Sequence, residues 1–231
     1  MRPSVRDAFV SFTAPMEGVC TWMYCDVLGL VTTAIGNLID PIQIALPIPF
    51  RHADGTFATR NEVAAEWSRI KARQDLKMHG GGAYRAIATL HLDSAGVDLV
   101  VSRKLSQMDA YLAIRFPDYE DWPADAQLAT LSMSWACGPA FHFAALEADL
   151  RAGDFASAAT HCTINESGNP GVIPRNVANR VLYANAARVV GEHLDPYELL
   201  WSAHAPLPEA VTGSGAIIHP WPEDPPPDDA A

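Results

Sequence analysis

The chain is poor in positive charge: 16 Lys and Arg stand against 27 Asp and Glu, a formal net charge of −11. No run of Lys and Arg exists that would neutralise a phosphate backbone, which argues against nucleic acid as a partner. Cysteine is scarce, with Cys20, Cys25, Cys137 and Cys162 only. Their spacing fits neither a CxxC redox motif nor a zinc ribbon, and they read as small buried hydrophobes. Cys20 and Cys25 lie close enough in sequence to permit a disulfide in an oxidising compartment. Long apolar runs are also missing. The longest candidate, 39–50, is broken by Asp40, Gln43, Pro41, Pro47 and Pro49, so no membrane span is expected. The first residues carry no charged region followed by an apolar signal core, which predicts a protein made in the cytoplasm. The eight histidines form no His-Glu-x-x-His pattern, and no Gly-x-Ser-x-Gly elbow occurs. Gly80, Gly81 and Gly82 are not followed by Lys-Ser/Thr, so they make a flexible turn rather than a phosphate loop. No cofactor, metal site or internal repeat is expected.

What remains is an ordinary globular composition, 231 residues with 49% hydrophobic and 19% charged. Residues 4–14 have helical spacing through Phe9 and Phe12, with Ser4 as N-cap and Pro15 ending or kinking the helix. Residues 22–38 are rich in Tyr, Val, Thr and Ile between glycines and predict a β-hairpin. Helical spacing returns at 61–73 (capped by Thr59 or Asn61) and from Leu92, capped by Asp93. That second helix should bury Val97, Val100, Val101, Leu105, Met108 and Leu112 and end by Pro117. Further helices are expected at 124–135, stopped by Gly138-Pro139, and near 140–150, 154–162 and 175–191. From Pro220 the chain is rich in Pro and Asp and reads as flexible. The fold class is therefore α+β with strands segregated near the start.

One stretch carries chemistry. Glycoside hydrolysis needs two carboxyl groups flanking the scissile bond, one protonated and one ionised. Glu17, at the end of an apolar helix among Met16, Val19 and Trp22, would lose solvation there, which raises a carboxyl pKa and suits a general acid. Asp26, in a more polar turn, would stay charged. Thr32 is near enough in the hairpin to hold an attacking water. A separation of roughly 6.5–9.5 Å would make the reaction inverting. By residue type alone the two are ordinary solvated carboxylates.

The segment resembles the phage-lysozyme family of endolysin muramidases, whose signature runs Glu-Gly, five residues, Tyr, one, Asp, two, Gly, two, Thr, three, Gly. Glu17, Gly18, Tyr24, Asp26, Gly29, Thr32 and Gly36 occupy all seven positions. The stretches 126–138 and Gly171–Leu182 are similar to the family's central helix and its Gly-Leu-x-x-Arg-Arg block. Asn37 replaces the family's His, Cys137 its Asn, and Asn176 its second Arg, leaving Arg175 to pair with Glu17. The resemblance implies a lysozyme-like domain over 1–200 with a small N-terminal β-hairpin lobe, a larger helical lobe at about 91–200 and the active-site cleft between them. An insertion at about 39–90 and a tail at 201–231 are additions to it. It implies Glu17 as acid, Asp26 as second carboxylate, and Thr32 as water-positioning hydroxyl. Trp22, Tyr24, Asn37 and Arg175 are expected at the substrate; Trp135, on an apolar helix, is expected in the core. The implied substrate is peptidoglycan glycan strands, reached in the periplasm or cell wall through a holin or a secretion machine. An injected effector would have a cognate immunity protein as partner. The rival readings are a non-catalytic lysozyme-like module binding glycan or protein, and a lytic transglycosylase or chitinase-like glycosidase.

Overall fold

In a computed structural model, which describes residues 1–201, the chain opens with helix α1 (Pro3–Glu17). The Pro/Asp-rich stretch from Pro220 lies outside the described residues. Ser4 is not the cap of α1: Arg2 holds that position and Pro3 takes the first helical turn, where its missing N–H costs nothing. The Arg2 guanidinium donates to the Trp122 and Asp121 carbonyls at 2.8 and 3.0 Å, pinning the helix start to the helical part of the protein. Pro15 does not end the helix. It and Ser11 are exposed, so the carbonyl that loses a partner there faces water, and α1 continues to Glu17.

Strands β1 (Cys20–Cys25), β2 (Val31–Ala34) and β3 (Asn37–Leu38) form one antiparallel sheet in sequence order. Between β1 and β2, Asp26 N–H donates to the Leu30 carbonyl at 2.9 Å and Gly29 N–H to the Asp26 carbonyl at 2.8 Å. This is a tight hairpin loop whose left-handed position falls on Gly29, at φ 79°. The register sets Tyr24 opposite Thr32 and Cys25 opposite Val31. Cys20 and Cys25 are free thiols. They stand at the two ends of β1, roughly 16 Å apart at ~3.3 Å per residue, beyond the ~7 Å reach of a disulfide.

The segment 39–90 packs back on the sheet. Helix α2 (Arg60–Ala72) starts in a capping box between Thr59 and Glu62. Its buried Glu66 accepts from Thr89 N–H and Oγ1 at 2.9 and 2.8 Å, while Lys71 reaches the Gly29 carbonyl at 2.7 Å and Asp40 at 2.6 Å. Gly80 joins two 3₁₀ turns, at 74–79 and 81–84, the second of which begins with Gly81 and Gly82, and both turns are seated against β1.

Helix α3 (Ser94–Arg115) is capped by Asp93 and buries the six apolar side chains its spacing predicts. Helix α4 (Ala124–Cys137) is buried on every side from Ala124 to Trp135, as a central helix must be. Helix α7 (Ile173–Glu192) packs most extensively on it, α6 (Phe155–His161) packs on α7, and α5 (Ala144–Ala152) packs on α6. Trp135 is a core residue against Phe9, ring centroids 4.9 Å apart. The architecture is α+β, a small antiparallel sheet beside a mostly helical body. Among the described residues no helix is long and apolar enough to cross a membrane.

Candidate active site

Glu17 is the last residue of α1, and Gly18 turns the chain from it into β1. The apolar enclosure expected from its neighbours does not form: the Glu17 side chain is 33% exposed and forms an ion pair with Arg175. Arg175, in the first turn of α7, is only 2% exposed. Its guanidinium bridges two elements, donating to the Glu17 carboxylate on α1 and to Ser132 on α4 (Oγ at 2.8 Å, carbonyl at 3.1 Å). Burial pushes the Arg175 guanidinium below its ordinary pKa, and the charge on Glu17 works against that fall. Arg175 therefore fixes Glu17 from behind rather than standing free for a ligand.

Asp26 opens the hairpin loop. Its Oδ1 accepts from the Leu28 and Leu30 N–H groups, both at 2.9 Å, while its Oδ2 has no hydrogen-bond partner among the described residues. The carboxylate is thus oriented by the turn with one oxygen left over. Thr32 is buried and donates to the Leu30 carbonyl at 3.2 Å, which leaves its oxygen as an acceptor. Residues opposite each other in a ladder share a face, so Tyr24 and Thr32 are neighbours. Burial raises the Tyr24 phenol, with the charges of Cys20, Asp26 and Glu17 adding to the rise, so Tyr24 is within electrostatic reach of both carboxylates. The hairpin brings Tyr24 and Thr32 side by side next to the loop that Asp26 opens, and Glu17 stands at the α1 terminus that leads into β1.

Two expected contact residues have structural partners. Trp22 donates its indole N–H to the Gly81 carbonyl at 2.9 Å. Gly81 seats so closely that a Cβ there would stand 2.6 Å from the Cys20 sulfur and 3.3 Å from Tyr24 Cγ. The glycine turn therefore covers the Cys20–Trp22–Tyr24 face of β1. Asn37 is buried; its Oδ1 accepts from Ile35 N–H at 3.1 Å and its Nδ2 donates to the Val100 carbonyl at 3.3 Å. It ties the sheet to α3.

Sequence reasoning missed Lys104. From α3 its ammonium lies 3.8 Å from the centroid of the Trp135 ring and 3.4 Å from the Gly36 carbonyl. Burial lowers its pKa to about 8, with Glu17 opposing the fall and Arg175 adding to it. No local pattern announces this residue, because its partners come from three other stretches of chain. Among the described residues no cluster of three or more His, Cys, Asp or Glu is placed to hold a metal ion.

Compared with protein-family models, curated proteins and solved structures, the chain gives no match. The chemistry of the site therefore rests on its own geometry: a partly exposed carboxyl held by a buried guanidinium, a second carboxylate with a free oxygen, and a hydroxyl and a phenol opposite each other on β2 and β1. That set suits acid–base work on a polar substrate.

Proposed function

We propose that the chain is a muramidase that hydrolyses the β-1,4 bond between N-acetylmuramic acid and N-acetylglucosamine in peptidoglycan, on a lysozyme-like fold. Glu17 protonates the leaving glycosidic oxygen. A water held by Thr32 attacks the anomeric carbon and gives its proton to Asp26, so the bond is replaced by one new hydroxyl on each fragment. Arg175 orients Glu17. No cofactor takes part.

The observation that carries this reading is the Arg175 hub. The three stretches similar to the phage-lysozyme pattern lie far apart in sequence, Arg175 being 158 residues from Glu17 and 43 from Ser132. All three meet at one guanidinium whose neighbour is the proposed acid. A scatter of chance matches has no reason to converge there. The free Oδ2 of Asp26 favours hydrolysis over a transglycosylase, which needs a single acid. Delivery to the wall falls to a holin or a secretion machine, and a gene for a lysis protein or for an immunity protein beside this one distinguishes phage endolysin from injected effector.

The test is product analysis by mass spectrometry on purified peptidoglycan. Fragments with reducing muramic ends support the proposal. Anhydromuramic ends would assign a lytic transglycosylase, and binding with no bond cleaved would assign a glycan-binding module.

A further inference from the structure

A groove of about 520 Å³ lies along α3 beside Asn37, within the size range of small-ligand pockets. Its walls are apolar: Leu38, Ile44 and Ile48 from the chain after β2, and Tyr111 from α3. Leu38, Ile44 and Tyr111 are each nearly half-exposed, so this apolar surface stands open. Its polar lining includes the cations Arg103 and Lys104. Two cations together are notable in a chain of net charge −11. Arg175 and Lys71, by contrast, have carboxylate partners, Glu17 and Asp40. Among the described residues neither Arg103 nor Lys104 forms an ion pair.

Lys104 is also held where it costs stability. Its ammonium is partly buried, yet its close partners are one carbonyl and one aromatic ring. A partly buried cation without a carboxylate partner is suited to take an anion. It lines the groove, and the charge of Glu17 acts on it.

We propose that Lys104, aided by Arg103, is a specificity-determining residue that reads a free carboxylate on the short peptide branch of the glycan, the apolar wall taking the rest of the branch. This rests on the muramidase reading and adds to it. The enzyme discriminates between polymers whose branches end in carboxylates and polymers whose branches are amidated. A carboxamide is matched to the branch in shape but lacks the charge that makes an ammonium–carboxylate hydrogen bond strong. Both substrates carry the same scissile bond, so the discrimination appears in kcat/KM and not in the products.

The experiment compares purified peptidoglycan with the same material after its branch carboxylates are converted to carboxamides. Wild type should cleave the acid form about 10-fold faster, the worth of about one charge-assisted hydrogen bond. Lys104→Met, which keeps a straight chain over Trp135, should cleave both at the slower rate. Lys104→Arg should restore the preference. Equal rates for wild type on both polymers, or a preference that survives Lys104→Met, would overturn the proposal. If wild type cleaves neither polymer, the muramidase reading falls and the subsite is judged by itself. Released branch peptides, acid and amide, are then titrated against the protein by tryptophan fluorescence. Tighter binding of the acid that Lys104→Met abolishes supports the carboxylate site, and equal binding of acid and amide refutes it.

Discussion

Replacing Lys104 by Met should make the protein more stable. The ammonium is partly buried against Trp135 and the Gly36 carbonyl, and its pKa falls from 10.5 to about 8. At about 1.4 kcal/mol for each tenfold change in proton affinity, that fall corresponds to a destabilisation of ~3 kcal/mol when Lys104 is charged in both states. Residual contact with water discounts it to roughly 1–2 kcal/mol. Methionine keeps the packing over the indole and removes the charge, so the melting temperature at pH 7 should rise by about 3–6 °C. The sign of the pH dependence follows from the lowered pKa. The native state releases this proton before the unfolded state does. The penalty is therefore full below pH 8 and fades as pH climbs from about 8 towards 10.5. Thermal melts of both proteins at pH 7 and pH 10 read this directly: a gap at pH 7 that narrows at pH 10. A variant that melts at or below the wild-type temperature at pH 7, or a gap unchanged at pH 10, would refute the reasoning. A charge kept at such a cost is what a functional site retains.

Three further outcomes follow from other parts of the site. Arg175→Ala removes a buried cation that holds α1, α4 and α7 together and leaves a cavity, so urea denaturation should show a loss of about 2–4 kcal/mol, with activity lost in the same variant. Gly29→Ala should cost about 1–3 kcal/mol, because φ is 79° and the new Cβ would meet Gln74 Oε1 at 2.1 Å. Gly36→Ala, with φ 65° and nothing within 4 Å, should cost only about 1 kcal/mol, and adding Gln74→Ala should recover part of the Gly29 loss alone. Since a chain of net charge −11 is repelled by an anionic wall, cleavage of peptidoglycan should quicken as salt is raised from about 10 to 150 mM, measured as initial turbidity loss.

The elements that read clearly from sequence are those whose signals are local. Thr59 and Glu62 lie three residues apart, and their capping box marks the start of α2. Asp93 and six apolar positions define α3 in the same way. The hairpin is legible because Gly29 and Gly36 punctuate short runs rich in Tyr, Val, Thr and Ile. Signals that depend on distant partners are not. The setting of Glu17 is decided by a guanidinium 158 residues away, so its neighbours Met16, Val19 and Trp22 suggested an enclosure that does not form. Lys104 gained its place through Trp135 and Gly36, and Asn37 spends its amide partly on Val100. Pro15 looked like a helix stop because its exposure, which lets water take the orphaned carbonyl, is a property of the packed protein.

The central claim is that Glu17 and Asp26 together cleave the glycan. It is tested most directly by the rate at which wild type, Glu17→Gln and Asp26→Asn release reducing ends from purified peptidoglycan, with circular dichroism confirming that each variant is folded. The account predicts release by wild type and a fall of at least about 100-fold in each variant, the scale of a lost acid or base. Release by Glu17→Gln at the wild-type rate would contradict it.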